Sequence, residues 1–174
     1  GTDSGTYDYF TAAIVGEEHS SRGDFMASED DNVLVQGIAY DENALGFFGL
    51  AYWAENPDKL KRVPISYKGS DPVLPSVENA ESGEYQPLTR PLFMYIKKAS
   101  YDNKEAVRAF VHDYMLNASL MQDLVREVGY VSIPDKAFEQ SADLFENGRV
   151  GTAFASGSKI GVSIQDLLEL ERES

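Results

Sequence analysis

Two apolar stripes between Val107 and Val128 constrain this chain more than any other stretch. Val107, Phe110, Val111, Tyr114 and Met115 recur at spacings of three and four, and Leu120, Met121, Leu124, Val125 and Val128 repeat the pattern. A stripe of that period is the buried face of an amphipathic helix. Asp102 or Asn103 is placed to cap the first helix, and Gly129 to stop the second. A helix with one apolar face needs another layer to cover it. Short apolar runs elsewhere read as that layer: Leu45 to Gly49, Val63 to Tyr67, and Arg90 to Lys97. In the last of these, Pro91-Leu92-Phe93-Met94-Tyr95-Ile96 is apolar on both faces, as in a buried sheet. Strands alternating with helices predict an α/β fold.

Further helices are expected over 4–15, ended by Gly16, and over 31–40, where Ser28 and Asp31 form a candidate capping box. One or two turns follow Leu50 and stop at Asn56-Pro57, and a single turn fits 76–81. Residues 135–147 point Ala137, Phe138, Ala142 and Phe145 inward, and Ser163 caps a last helix bearing Ile164, Leu167 and Leu168. Between them, 68–88 is rich in Pro and Gly and is the natural place for the chain to pass between lobes. Gly148 to Gly161 reads as a glycine-rich loop, and no internal repeat is present.

The 174 residues suffice for one good core or two small lobes. No apolar run approaches the roughly 20 residues that span a bilayer. With no Cys, disulfides, thiol catalysis and cysteine metal sites are excluded. A net charge of −14 argues against nucleic acid and anionic membranes, which are bound by clustered Lys and Arg. It leaves a small anion open, because backbone N–H groups and one or two Arg make a locally positive pocket inside an acidic protein. The chain starts at Gly1, with neither initiator Met nor signal-peptide pattern, and reads as mature or trimmed.

Such a pocket is prefigured in Gly1-Thr2-Asp3-Ser4-Gly5-Thr6-Tyr7-Asp8-Tyr9-Phe10. Ser4 is an N-cap residue, Gly5 admits close approach to the backbone, and Ser4 and Thr6 carry hydroxyl donors. The first-turn N–H groups lack helical partners, and the helix dipole is positive there. Phosphate is the expected oxyanion. Arg22 lies in a loop about one helix length later, where it can fold back to the helix start and give bidentate bonds. Asp3 and Asp8 either accept a proton from the ligand or, as favoured here, complement the helix N-terminus.

Other constellations read as structure. Glu29-Asp30-Asp31-Asn32 lacks the alternating ligands and central Gly of a calcium loop. Neither His19 nor His112 belongs to a His-x-x-x-His pair, which argues against zinc. No Gly-x-Ser-x-Gly elbow or Ser-His-Asp set is present. Phe47, Phe48, Tyr52 and Trp53 read as core rather than a stacking platform. No cofactor is implied.

Five ordered stretches then carry a resemblance: 1–10 as quoted, Ser-Glu-Asp-Asp-Asn-Val-Leu-Val-Gln-Gly at 28–37, Asn-Ala-Leu-Gly-Phe-Phe-Gly-Leu-Ala-Tyr at 43–52, Tyr-Gln-Pro-Leu-Thr-Arg-Pro-Leu-Phe-Met-Tyr at 85–95, and Val-Gly-Tyr-Val-Ser-Ile-Pro-Asp at 128–135. The chain resembles the PstS-type phosphate-binding proteins of bacterial ABC transporters. The resemblance implies a two-lobed periplasmic-binding-protein (type II) fold, an α/β architecture of which this chain looks like the C-terminal part. It implies that 1–87 belongs to the lobe carrying the Ser-Gly-Thr site, and that 88–174 crosses into the other lobe. It implies phosphate held by Ser4, Gly5 and Thr6, a periplasmic or envelope location, and a membrane permease with its ATPase as partners.

Two departures follow. Much of the family has an Arg a few residues before Ser-Gly-Thr, whereas Gly1 to Asp3 contain none, so Arg22 is the candidate substitute. The family is also about twice as long, and its first portion, which supplies further phosphate ligands, is not in this sequence. A second chain completing the fold, or a marginally stable fragment, is therefore expected. The rival readings are a sulfate or molybdate binder of the same fold, a phosphate-ester hydrolase using Ser4 or Thr6 without a nearby base, and an interaction module with no small ligand.

Overall fold

A computed structural model of the chain describes residues 4–173, except 156 and 158. The chain divides into two compact units, one running through Thr89 and one from Arg90 onward.

The first unit contains α1 (Gly5–Val15), α2 (Asp31–Ala39), α3 (Leu50–Ala54) and α4 (Val77–Glu81). Gly16 ends α1 in the left-handed region, at φ 87°, and its N–H donates to the Thr11 and Ala12 carbonyls. Only a residue without Cβ takes that conformation at little cost. Helix α2 is capped by Asp30, whose carboxylate accepts from the Asn32 N–H at 2.9 Å. Ser28 sits one step further out and accepts from the Asp30 N–H at 3.0 Å. The expected capping box is thus corrected to an Asp cap with Ser28 behind it. Ser76 caps α4 through the Asn79 N–H. Buried side chains are few among the described residues of this unit: Tyr7, Thr11, Val35, Leu60 and Pro87. Phe47 stacks on Phe10 of α1 with ring centroids 3.8 Å apart, Phe48 meets Tyr52 edge-on, and Arg62 lies 4.0 Å over the Trp53 ring. The four aromatics, expected as core, are each only half-buried and pack at its margin through these ring contacts. Ile38 rests directly over Gly46, where a side chain would collide with it.

The second unit is a helical assembly of α5 (Lys98–Asn103), α6 (Glu105–Leu116), α7 (Ala118–Glu127), α8 (Asp135–Glu146) and α9 (Ile164–Glu173). Helix α6 packs on α5, α7 and α8, and α8 also packs on α9. Val111, Ala137, Phe138, Ala142, Leu167 and Leu168 fill the space between them. Burying each large side chain contributes about 1.5–3 kcal/mol. Ser163 caps α9 by accepting from the Asp166 N–H at 3.1 Å, and Arg172 ties α9 to Asp143 of α8 at 3.3 Å. Phe145 is only half-buried, so it is a flank of the core rather than its centre.

The strands are the main correction. Among the described residues no ladder forms over 45–49, 63–67 or 90–97. A single antiparallel bridge joins Ile65 to Val73, with N–H to C=O bonds of 2.9 and 2.8 Å. An apolar extended segment becomes a strand only when its N–H and C=O groups meet a neighbour, and among the described residues only Ile65 of these segments does so, through that bridge. The described residues are thus helical, and the α/β architecture is not what they display. Directly after the expected third strand the chain turns helical: Lys97 is the extended N-cap of α5, which runs from Lys98 to Asn103, and Lys104, at φ −121°, separates it from α6.

Candidate functional site

The start of α1 has the geometry its sequence foreshadowed. Ser4 is the N-cap residue, extended at φ −140° and ψ 122°, yet its hydroxyl makes no capping bond. The first helical bond runs from the Asp8 N–H to the Ser4 carbonyl at 3.0 Å. The N–H groups of Gly5, Thr6 and Tyr7 therefore precede the intrahelical ladder. Ser4 is half-buried, while Gly5 and Thr6 are exposed. The result is a set of hydroxyl and amide donors at the positive end of an eleven-residue helix. Asp3 lies outside the described residues.

A polar clamp, which sequence reasoning missed, ties the following loop back to this helix. The buried Thr11 hydroxyl accepts from the His19 N–H at 2.9 Å and donates toward the Tyr7 and Asp8 carbonyls. The Tyr7 hydroxyl donates to the His19 carbonyl at 3.2 Å and shares a 2.6 Å bond with the Ser21 hydroxyl. Phe25 stacks on the Tyr7 ring with centroids 6.1 Å apart. His19 itself stands at φ 63°, a conformation that costs a non-glycine residue on the order of 1–3 kcal/mol. Both of its backbone polar groups are held, which keeps it there. Asp8 is half-buried, with its Oδ1 3.4 Å from His19 Nδ1. That oxygen is buried and has no hydrogen-bond partner among the described residues. The one signal of the clamp was Thr11, a hydroxyl on the inner face of an apolar helix. Far along the chain, Tyr9 donates to the Pro87 carbonyl at 2.8 Å, so the end of the first unit also returns to α1.

Arg22 follows Ser21, so its loop does come back toward the first turns of α1. Its guanidinium, however, is engaged with Asp24: Nε meets Oδ1 at 2.7 Å and Nη2 meets Oδ2 at 2.5 Å. The pair is exposed, and the Arg22 side chain is 84% accessible. The Asp24 carboxyl is held below the usual range by its bonds to Arg22, and the Arg22 guanidinium is raised further by the same bonds. His112 is exposed on α6, in the second unit, and His19 belongs to the first. Among the described residues no group of His, Asp and Glu is arranged to hold a metal ion, and no helix is long and apolar enough to cross a membrane.

No protein-family profile matches the chain. Over 171 residues it is 46% identical to the protein SphX of Synechococcus elongatus, covering 98% of this chain and 49% of that protein. It is 30% identical over 137 residues to the phosphate-binding protein PstS of Staphylococcus haemolyticus, covering 78% of this chain and 40% of the relative. The crystal structure of a possible phosphate-binding protein from Planctomyces limnophilus superposes with a TM-score of 0.67 at 41% identity, over 85% of this chain and 51% of that one. The chain thus spans about half the length of the relatives it matches.

Proposed function

Because the chain belongs to the PstS-like phosphate-binding proteins over part of their length, we propose that it supplies one side of a phosphate site at the start of α1. The observation that carries this reading is Ser4, an N-cap residue whose hydroxyl is not used by the helix. With Thr6 and the first-turn N–H groups it offers donors to an oxyanion, while Gly5 leaves room for approach. The clamp of Tyr7 and Thr11 on 19–21 braces these donors from behind. Among the described residues no nucleophile–base pair stands at the site, and the reading is binding without chemistry.

In this reading the two units belong to different lobes of an α/β periplasmic-binding fold. The extended segments at 45–49 and 90–97 gain strand partners from the remainder of a longer protein, and 85–95 is the crossover. The chain is the C-terminal part of that fold. Arg22 reaches the ligand only by leaving Asp24. The working protein is the exported, solute-binding component of a phosphate ABC transporter and delivers phosphate to a membrane permease with its ATPase.

The test uses a fusion in which this chain replaces the matched segment of Synechococcus elongatus SphX. Calorimetry should give phosphate binding that sulfate does not displace between pH 6 and 8. Equal displacement by sulfate would favour the general oxyanion binder. Turnover of a chromogenic phosphate ester would favour the hydrolase.

A further inference from the structure

The loop that follows α1 is fastened to it by backbone groups of one residue. The His19 N–H donates to the Thr11 hydroxyl at 2.9 Å, and the His19 carbonyl accepts from the Tyr7 hydroxyl at 3.2 Å. With both groups held and the backbone at φ 63°, the side chain is carried over the helix. Its ring centroid lies 6.0 Å from that of Tyr7, and its Nδ1 lies 3.4 Å from Asp8 Oδ1.

The carboxylate end of this contact is incomplete. Asp8 Oδ1 is buried and has no hydrogen-bond partner among the described residues. A buried oxygen without a donor has lost its hydration and regained nothing. The Asp8 N–H is already spent on the Ser4 carbonyl. A neutral imidazole carries its one ring proton on either nitrogen, whereas the imidazolium carries both and a positive charge. Protonation therefore guarantees a donor at Nδ1. A charge-assisted bond closes to about 2.7–2.9 Å, so the observed separation leaves room to tighten. The ring is exposed, and protons reach it from solvent.

The other ionisable groups around it are few. Helix α1 presents the Tyr7 phenol beside Asp8, and the Tyr7 hydroxyl is engaged with His19 and Ser21. The loop itself contributes Glu17 and Glu18 before His19, and Arg22 and Asp24 after it, the last two bonded to each other.

We propose that Asp8 and His19 form a proton-operated latch, which closes the loop at 16–21 onto the first turns of α1 when His19 is protonated. With His19 neutral, the hydroxyls of Tyr7 and Thr11 hold the loop without it. The pairing favours the charged imidazole and needs an ionised carboxylate. It is therefore present below the histidine range and is lost as pH rises through about 5 to 8. It is lost again in acid, as the carboxylate protonates near about pH 4. The latch lies behind the Ser4 to Thr6 donors and goes beyond the phosphate reading without depending on it.

The test is amide exchange over 19–21 in the SphX fusion, in phosphate-free buffer, with and without Asp8→Asn. Comparing the two at one pH cancels the intrinsic pH dependence of exchange. Asp8→Asn should speed exchange about threefold at about pH 5.5 and leave it unchanged at about pH 8. In a His19→Asn background, which keeps a residue tolerant of positive φ, Asp8→Asn should have no effect at either pH. An equal effect at both pH values overturns the latch and makes Asp8 a fixed charge at the helix start. So does no effect at either pH, or an effect that survives His19→Asn. If Asp8→Asn does not fold, His19→Asn alone is compared with the parent after correction for intrinsic rates. Faster exchange confined to the acidic side supports the latch, and a pH-independent difference overturns it. Phosphate is absent throughout, so a failure of the ligand reading leaves this result standing.

Discussion

The two units are held together by different means. The second buries Val111, Phe138, Leu167 and Leu168 between five helices. The first buries little apolar surface, and around α1 it depends on hydroxyls: Tyr7 on His19 and Ser21, Thr11 on His19, Tyr9 on Pro87. Apolar packing is non-directional and tolerates small shifts, whereas a hydrogen bond fixes position to a few tenths of an ångström. On the proposed reading, a unit that presents donors to an anion gains more from the second. The same choice makes it sensitive to single polar atoms.

The largest effect should come from the apolar side. Phe138→Ala removes a side chain that is 3% exposed and should cost about 3–5 kcal/mol in urea denaturation. A loss well under 1 kcal/mol would mean that α8 is not central to the second unit. Next comes the polar clamp. Thr11→Val keeps the volume, removes the acceptor for the His19 N–H, and should cost about 1–3 kcal/mol. It should also raise amide exchange at 19–21 while leaving α8 protected. Uniform exchange across both units would erase the distinction between them.

The smallest effect concerns Arg22 and Asp24. The Asp24 carboxyl titrates below its unfolded value, so the pairing is present above the ordinary carboxylate range and fades as pH falls through the lowered value. Near neutral pH it is constant, and as a fully exposed pair it adds little to stability. Its use is as a probe. Arg22→Ala should weaken phosphate binding by the fusion if the guanidinium leaves Asp24 for the ligand. Unchanged affinity would remove Arg22 from the site.

What was legible in the sequence followed the range of the interactions concerned. The helices other than α5, Gly16 as terminator and Ser163 as cap are local features that the structure has near their expected places, whereas Asp102 and Asn103, expected to cap α6, lie inside α5, and Lys104 takes the N-cap position. The strands depend on partners far away or outside the chain, so 45–49 and 90–97 carry strand-like composition without a ladder. Helix α5 was missed because Lys-Ala-Ser-Tyr-Asp-Asn has no apolar stripe to announce it. The clamp was invisible because Thr11 and His19 meet only once the loop has folded back. Arg22–Asp24 was readable from two residues of opposite charge one position apart, a local pairing that competes with any role of Arg22 at an anion.

The central claim is that phosphate is held by the hydroxyls at the start of α1. The most direct measurement is calorimetric titration of phosphate into the SphX fusion and into the same fusion carrying S4A and T6A. Hydrogen bonds to a charged ligand contribute about 1.5–3 kcal/mol each. The account therefore predicts that the double variant binds at least roughly a hundredfold more weakly, with its folding by circular dichroism unchanged. An affinity within about twofold of the parent fusion would contradict it and place the ligand elsewhere.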